Sequence, residues 1–411
     1  MHCVEEIKNG IYWMGCNDFR TALFESSFPL PQGVSYNSYF IDDEKTAVLD
    51  TMDKSVRDEF LENVEFLLHG RQLDYLFINH MEPDHAGSIV ALVERYPQVK
   101  IVAQKQTIKL YEQFYRHPLP HNYQVVKEGD QINLGKHLLQ IIQAPMVHWP
   151  EVTMAYDLTD NVLFSVDAFG LFGTCGNVFA DQVDFANAYL DEARRYYVNI
   201  VGKYGEQVME VLAKASQLPI AIIAPVHGLV FRTPETIQMI INKYLHWAKY
   251  VPEKNGVVIA FASIYGNTER AACILAHKLS QKGIQDIRMY DVSKTHPSFI
   301  TAAAWKYSHL LLAAPTYNLN LYLPMETFLH DLQTLLFQNR KVAVIGCHSW
   351  ASRAQAAMVE YVTHKFKNCQ LLGTPLDLKS SLQTKEEVLL DLLAQTIASD
   401  IKTTAKPETL I

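Results

Sequence analysis

Apolar and polar positions alternate with two different rhythms along the chain. In the first stretch, short apolar runs follow one another with few helical patterns between them. Residues 37–41 and 46–50 read as strands joined by the acidic turn Asp42-Asp43-Glu44-Lys45, a hairpin signal. Residues 54–69 place Val56, Phe60, Val64 and Leu67 at helical spacing. Tyr75-Leu76-Phe77-Ile78 predicts a buried strand, followed by a helix from about Gly87 to Tyr96 and a strand over 99–103, while 125–143 and 152–166 alternate as sheet. Several successive strands without intervening helices predict an αββα sandwich of mixed α+β character. Between Asn17 and Val34 a segment carrying Phe19, Phe24 and Phe28 reads as a packed surface loop rather than the wall of a pocket.

Around Val251-Pro252-Glu253-Lys254-Asn255 the rhythm becomes regular βα alternation, which sets the expected domains at 1–252 and 253–411. The run 256–262 is a fully apolar strand, and a helix is expected from about Arg270 to Lys282. Further strands at about 286–291, 308–314, 341–346 and 370–374 complete a doubly wound, five-stranded parallel α/β sheet with expected order 2-1-3-4-5.

A chain of 411 residues is long enough for two cores, and 49% hydrophobic with 19% charged residues is ordinary for a globular protein. The formal charge of -8 argues against a nucleic-acid partner. Six scattered cysteines form no C-x-x-C pair, which removes zinc ribbons and rubredoxin-type iron sites and fits reduced thiols. A polar N-terminus and the lack of a membrane-length apolar run give the expectation of a soluble, cytoplasmic protein. Residues 403–408 are expected to fray.

The densest chemistry lies at His80-Met81-Glu82-Pro83-Asp84-His85, directly after an apolar strand. Two imidazoles and two carboxylates delivered by a buried strand are costly unless a cation neutralises and orients them. His148, Asp167 and His227 each stand near the end of a further apolar run, and together with 80–85 they suffice for two coordination spheres. His69, His117, His121 and His246 are expected on exposed loops or helices. In the second half, Ser263-Ile264-Tyr265-Gly266-Asn267-Thr268 links a buried strand to a helix N-terminus, a place where backbone N–H groups and the helix dipole favour a phosphate. The loops 315–319 and 347–350 would line the same crevice.

The pattern His80-x-Glu82-x-Asp84-His85, then His148, Asp167 and His227-Gly228, resembles that of the flavodiiron proteins (A-type flavoproteins, or rubredoxin:oxygen oxidoreductases) from about residue 3 to about residue 398. The resemblance implies a metallo-β-lactamase-like domain followed by a flavodoxin-like domain. It implies one iron on His80, Glu82 and His148, a second on Asp84, His85 and His227, and Asp167 bridging them. Hydrolases of the same fold place histidine where Glu82 stands, and a carboxylate moves the preference from zinc toward iron. The loop 263–268 is similar to the flavodoxin FMN-phosphate loop, and Pro315-Thr316-Tyr317-Asn318 to a second flavin loop. At Gly346-Cys347-His348-Ser349-Trp350 the sequence departs from the family's glycine- and serine-rich turn, with Cys347 and Trp350 as the expected flavin neighbours. The resemblance further implies four-electron reduction of O2 to water, with NO reduction to N2O also in range. It implies electrons from rubredoxin or a flavin reductase, and a head-to-tail homodimer or dimer of dimers. The residues leave two alternatives open: a metallo-hydrolase with a flavodoxin-like accessory domain, and a plain electron-transfer flavoprotein.

Overall fold

In the computed structural model, which describes residues 2–115 and 122–404, the chain forms two compact units that divide at Tyr244/Leu245. The first unit is built on two sheets. One has the order β1-β2-β5-β6-β7-β8-β9, with β1 (Val4–Lys8), β2 (Ile11–Asp18), β5 (Val34–Ile41), β6 (Ala47–Leu49), β7 (Tyr75–Ile78), β8 (Lys100–Gln104) and β9 (Tyr123–Val126). The other runs β10 (Gln131–Asn133), β11 (Leu138–Gln143), β12 (Thr153–Asp157), β13 (Val162–Val166) and β14 (Ile222–Pro225) in sequence order. A small hairpin, β3 (Leu23–Phe24) with β4 (Phe28–Pro29), stands apart from both.

Every residue of β5, β12 and β13 is buried, as expected for strands covered on both faces. Ile11, Tyr39, Leu49, Phe77 and Val102 of the first sheet meet Ile141, Ala155, Phe164 and Ala224 of the second in one apolar layer. The helix Arg57–Leu68 packs beside β2, and the helix Lys105–Phe114 beside β8. Strands β6, β7 and β8 are parallel, as are β13 and β14. The loops at the carboxyl ends of β7, β13 and β14 carry residues 80–85, 167 and 227 respectively.

Local differences from the sequence expectation have clear causes. The helix expected from about 87 to 96 is present as Ile89–Arg95, and a further short helix, Pro83–Ala86, precedes it, so that Asp84 and His85 sit on a helical turn. Proline suits the first helical position because its missing N–H has no partner there anyway. Gly87 ends that turn where a Cβ would stand 2.6 Å from the Pro83 carbonyl oxygen and 2.9 Å from Lys54 N. The helix expected over 54–69 begins as a 3-10 turn, Lys54–Val56, capped by Asp53, whose carboxylate accepts from Ser55 N–H.

The second unit carries β15 (Lys254–Phe261), β16 (Ile287–Asp291), β17 (Tyr307–Tyr317), the short β18 (Asn320–Leu321), β19 (Lys341–His348), β20 (Gln370–Leu371) and β21 (Leu376–Lys379). Its parallel order, β16-β15-β17-β19-β20, is the expected 2-1-3-4-5. The fifth strand, expected over 370–374, is instead two pieces that pair with β19 on either side of Gly373, which adopts a left-handed φ of 69°. Val257, Ile259, Leu311 and Ile345 pack against Ala271, Leu275 and Leu279 of the helix Asn267–Gln281 and against Leu390, Leu393 and Ile397 of the last helix.

The division lies earlier than residue 252 because the following segment is tied to the second unit. Trp247 Nε1–H donates to Glu253 Oε1 at 2.8 Å, and the Tyr250 carbonyl accepts from Arg340 at 2.7 Å. Within the described residues no helix is long and apolar enough to cross a membrane. The tail beyond residue 404, like His117 and His121, lies outside the described residues.

Candidate functional site

The seven side chains singled out in the first half converge. His80 Nε2 lies 3.2 Å from Glu82 Oε2 and 3.4 Å from Asp167 Oδ2. His148 Nε2 lies 3.0 Å from the same Glu82 oxygen and 3.8 Å from Asp167 Oδ2. On the other side, His85 Nε2 is 3.2 Å from Asp84 Oδ2 and 3.3 Å from Asp167 Oδ1. His227 Nε2 is 3.1 Å from Asp84 Oδ2 and 3.6 Å from Asp167 Oδ1. Asp167 thus turns one carboxylate oxygen to each of two adjacent groups.

Hydrogen bonding does not account for this crowding. His85 Nε2, His148 Nε2, Asp84 Oδ1 and Asp167 Oδ2 are buried without a hydrogen-bond partner, although each faces polar atoms of its neighbours. Nitrogen and oxygen donors that converge without hydrogen-bond partners fit a cation, and three buried carboxylates call for positive charge. The same charge balance acts on the protons. Burial works to lower the His80 pKa, but its contacts with Glu151 and Glu82 and the nearby carboxylates outweigh this and hold it up at about 10. Burial would likewise raise Asp167, yet the His85, His80 and His148 imidazoles hold it well below the usual carboxylate range.

A surrounding layer fixes the orientation of these groups. His80 Nδ1 lies 2.7 Å from Glu151 Oε1, which also accepts from the Met81 N–H. His227 Nδ1 donates to the Ser35 carbonyl at 2.7 Å, and the Tyr196 hydroxyl donates to Asp167 Oδ1 at 2.6 Å. Asp50 accepts from the Asn79 backbone and side chain, pinning the end of β7.

The segment 17–34, expected as a packed surface loop, instead walls the site. Phe24 is buried, with its ring centroid 5.5 Å from that of His227 and 5.4 Å from that of Phe172. The three-residue loop of the hairpin, 25–27, places Glu25 (φ 49°) and Ser26 (φ 54°) in the left-handed region, and the Ser27 N–H donates to the Phe24 carbonyl at 2.9 Å. Glu25 is exposed at that turn, yet its carboxyl faces inward; loss of water around it and the proximity of Glu82 push its pKa up to about 9. Phe19 remains exposed.

In the second unit, Ser263, Ile264, Tyr265, Asn267, Thr268, Pro315, Thr316 and Cys347 line one crevice at the carboxyl ends of the strands, together with His348, Ser349 and Ser380. Gly266, Tyr317, Asn318 and Trp350 lie outside that lining. Gly266 caps the helix Asn267–Gln281 at φ 87° and donates to Ser263 Oγ at 3.0 Å. Trp350 stands 79% exposed. Thr316 Oγ1 accepts from the N–H groups of Arg353 and Ala354, which joins the second and third loops.

Residues 34–228 match the ODP family beta lactamase description, and residues 259–371 match flavodoxin. An anaerobic nitric oxide reductase flavorubredoxin of Vibrio vulnificus is 33% identical over 84% of this chain and 70% of its own length. A nitric oxide reductase of Moorella thermoacetica is 31% identical over 90% of this chain and 91% of its own length. The rubredoxin oxygen:oxidoreductase of Desulfovibrio gigas superposes with a TM-score of 0.90 at 28% identity, covering 97% of this chain and 98% of its own.

The chain belongs to the flavodiiron proteins. It is therefore an oxidoreductase with a metallo-β-lactamase-like domain, a flavodoxin-like domain, a non-haem diiron centre and FMN. The flavodiiron protein from Giardia intestinalis shares the fold at 24% identity and a TM-score of 0.87. Both cofactors suit the residues present: paired nitrogen and oxygen donors in a buried anionic site suit iron. Hydroxyls and an amide at the N-terminus of a long helix suit the phosphate of FMN. Family membership sets aside the hydrolase and plain electron-transfer alternatives.

No sequence pattern singles out Glu151, Tyr196, Glu25 or Asp50. Glu151 had the best available signal, a lone acid just after His148-Trp149-Pro150. Tyr196 reaches Asp167 across 29 residues, and no local pattern announces such a contact. Of the remaining histidines, His69 is exposed at a helix end and His246 is half-buried.

Proposed function

We propose that this flavodiiron protein reduces dioxygen to water by four electrons. Its iron is held by His80, Glu82 and His148 on one side and by Asp84, His85 and His227 on the other, with Asp167 shared. The observation that supports this reading best is the placement of Asp167, one oxygen toward each ligand group, which suits a pair of metals acting on one small molecule. When bound, the irons and FMN each supply two electrons, enough to complete the reduction of dioxygen.

The protein's own groups orient and enclose the site. Glu151 and the Ser35 carbonyl fix the rings of His80 and His227, so that each presents Nε2 inward. The Tyr196 hydroxyl donates a hydrogen bond to Asp167 Oδ1 and so holds that carboxylate. Phe24, Tyr36 and Trp149 pack against the imidazoles and limit the entry of water. Glu25 places a further carboxyl beside Glu82.

Nitric oxide is the second reading, favoured because the sequence relatives at 31% and 33% identity are named nitric oxide reductases. The electron source is proposed to be rubredoxin or a flavin reductase, and the assembly a head-to-tail homodimer. Steady-state turnover of protein loaded with iron and FMN, measured with each gas and one artificial donor, tests the reading. Faster turnover of oxygen supports the first reading, and faster turnover of nitric oxide replaces it with the second.

A further inference from the structure

The third loop of the flavin crevice brings a histidine, His348, into its lining. Side chains alternate along β19. Cys347 turns into the apolar core with Leu376 and Leu378, so His348 takes the other face. There β21 presents Asp377, which pairs in register with Gly346, and His348 Nδ1 lies 3.0 Å from Asp377 Oδ1. An ionised carboxylate only accepts, so Nδ1 carries a proton and the ring is held in one orientation. Nε2 is then the ring's remaining polar atom, on a side chain that is 17% exposed and lines the crevice with Ser263, Thr316, Ser349 and Ser380.

We propose that His348, its Nδ1 proton held by Asp377, takes a second proton from solvent at Nε2 as the flavin is reduced, contacts the bound flavin through that Nε2–H and raises its reduction potential. The inference rests on FMN occupying this crevice. Reduction follows FMN + 2e⁻ + H⁺ → FMNH⁻, with electrons from an external iron–sulfur or flavin donor, so the reduced ring carries one more negative charge than the oxidised ring. A donor held against the ring favours that extra charge, because hydrogen bonds to ionised acceptors are the stronger ones.

The test is a spectroelectrochemical titration of the FMN-loaded full chain, with flavin absorbance as readout. For His348→Phe, affinity for reduced relative to oxidised FMN is expected to fall about tenfold. On a two-electron couple this lowers the midpoint potential by about 30 mV. His348→Gln, which keeps a donor, should recover most of the shift, and Asp377→Asn should move the potential the same way by less. A His348→Phe chain that binds FMN one to one at the wild-type potential overturns the proposal. If that variant loses its flavin, Asp377→Asn decides, and an unshifted potential overturns it equally. Failure of the wild-type chain to take up FMN would overturn the flavin site itself, and this inference with it.

Discussion

Glu151 Oε1 accepts from both the Met81 backbone N–H, at 2.9 Å, and the His80 ring, at 2.7 Å, so one buried carboxylate fixes a metal-facing imidazole and the strand end that carries it. Acids placed behind ligating histidines orient the ring and strengthen it as a base. Glu151→Gln keeps an acceptor and loses the charge, and iron affinity is expected to fall about 10-fold; Glu151→Ala loses both and should approach about 100-fold. Iron retained against a graded chelator measures this. Retention equal to wild type in both variants would show that Glu151 serves only to pack the site.

Asp167 is the residue on which the two ligand groups depend together. Asp167→Ala should bring gas consumption down at least about 100-fold while leaving the flavin absorbance and FMN content unchanged, since the flavin crevice is built from other loops. Glu82→His should change metal choice instead. With an imidazole in place of a carboxylate oxygen, protein made with both metals available should carry more zinc per iron than wild type. Elemental analysis of the purified chain checks this, and an unchanged ratio would remove Glu82 as the source of selectivity.

Much of this site could be read from the chain because its ligands follow apolar strands. Asp167 and His227 come directly after runs that can only be buried strands, and the cluster at 80–85 shares that setting. The supporting contacts were less legible. Tyr196 lies on the helix Leu190–Tyr196 in a region whose pattern announces no element, and its contact with Asp167 spans 29 residues of chain. Phe24 looked like one aromatic among several in a polar loop, and only packing against Phe172 and His227 separates it from the exposed Phe19. In the second unit the parallel order followed from regular alternation. The break in the last strand did not, since Gly373 changes local dihedrals without disturbing the apolar pattern.

His137, which the ligand set does not include, should make stability depend on pH. Its Nδ1 lies 3.2 Å from Asp157 Oδ2, and its Nε2 lies 3.0 Å from the Asn9 carbonyl oxygen, so both nitrogens face acceptors. The hydrogen bond to Asp157 raises its pKa above the ordinary 6.5, against the effect of burial. A histidine raised on folding stabilises fully below its unfolded pKa, and that contribution is lost as pH climbs through the folded one. Unfolding free energy should therefore decline above about pH 6.5 until the folded pKa is passed. The decline should be absent in His137→Gln. Parallel urea midpoints for the two proteins across that range would count against the assignment.

Arg340 organises the second unit from within. Its side chain is buried, and its guanidinium donates to the carbonyls of Tyr250, Ala304, Trp305, Tyr307 and Gln338, which end several separate elements. Burial lowers its pKa to about 10, which still leaves the group charged at neutral pH. Lysine brings three donors on one atom and so fails to reach carbonyls spread around a planar fork. Methionine fills much of the volume but leaves the carbonyls without a donor. Each buried polar group left unpaired costs about 1–3 kcal/mol, with part recovered where water or relaxation reaches the gap. Arg340→Met is therefore expected to destabilise the unit by about 3 kcal/mol or more, and Arg340→Lys by less. Urea unfolding followed by release of bound FMN measures the second unit directly. A loss below about 0.5 kcal/mol, the range of an ordinary surface substitution, would mean that those carbonyls find other donors when the guanidinium is gone.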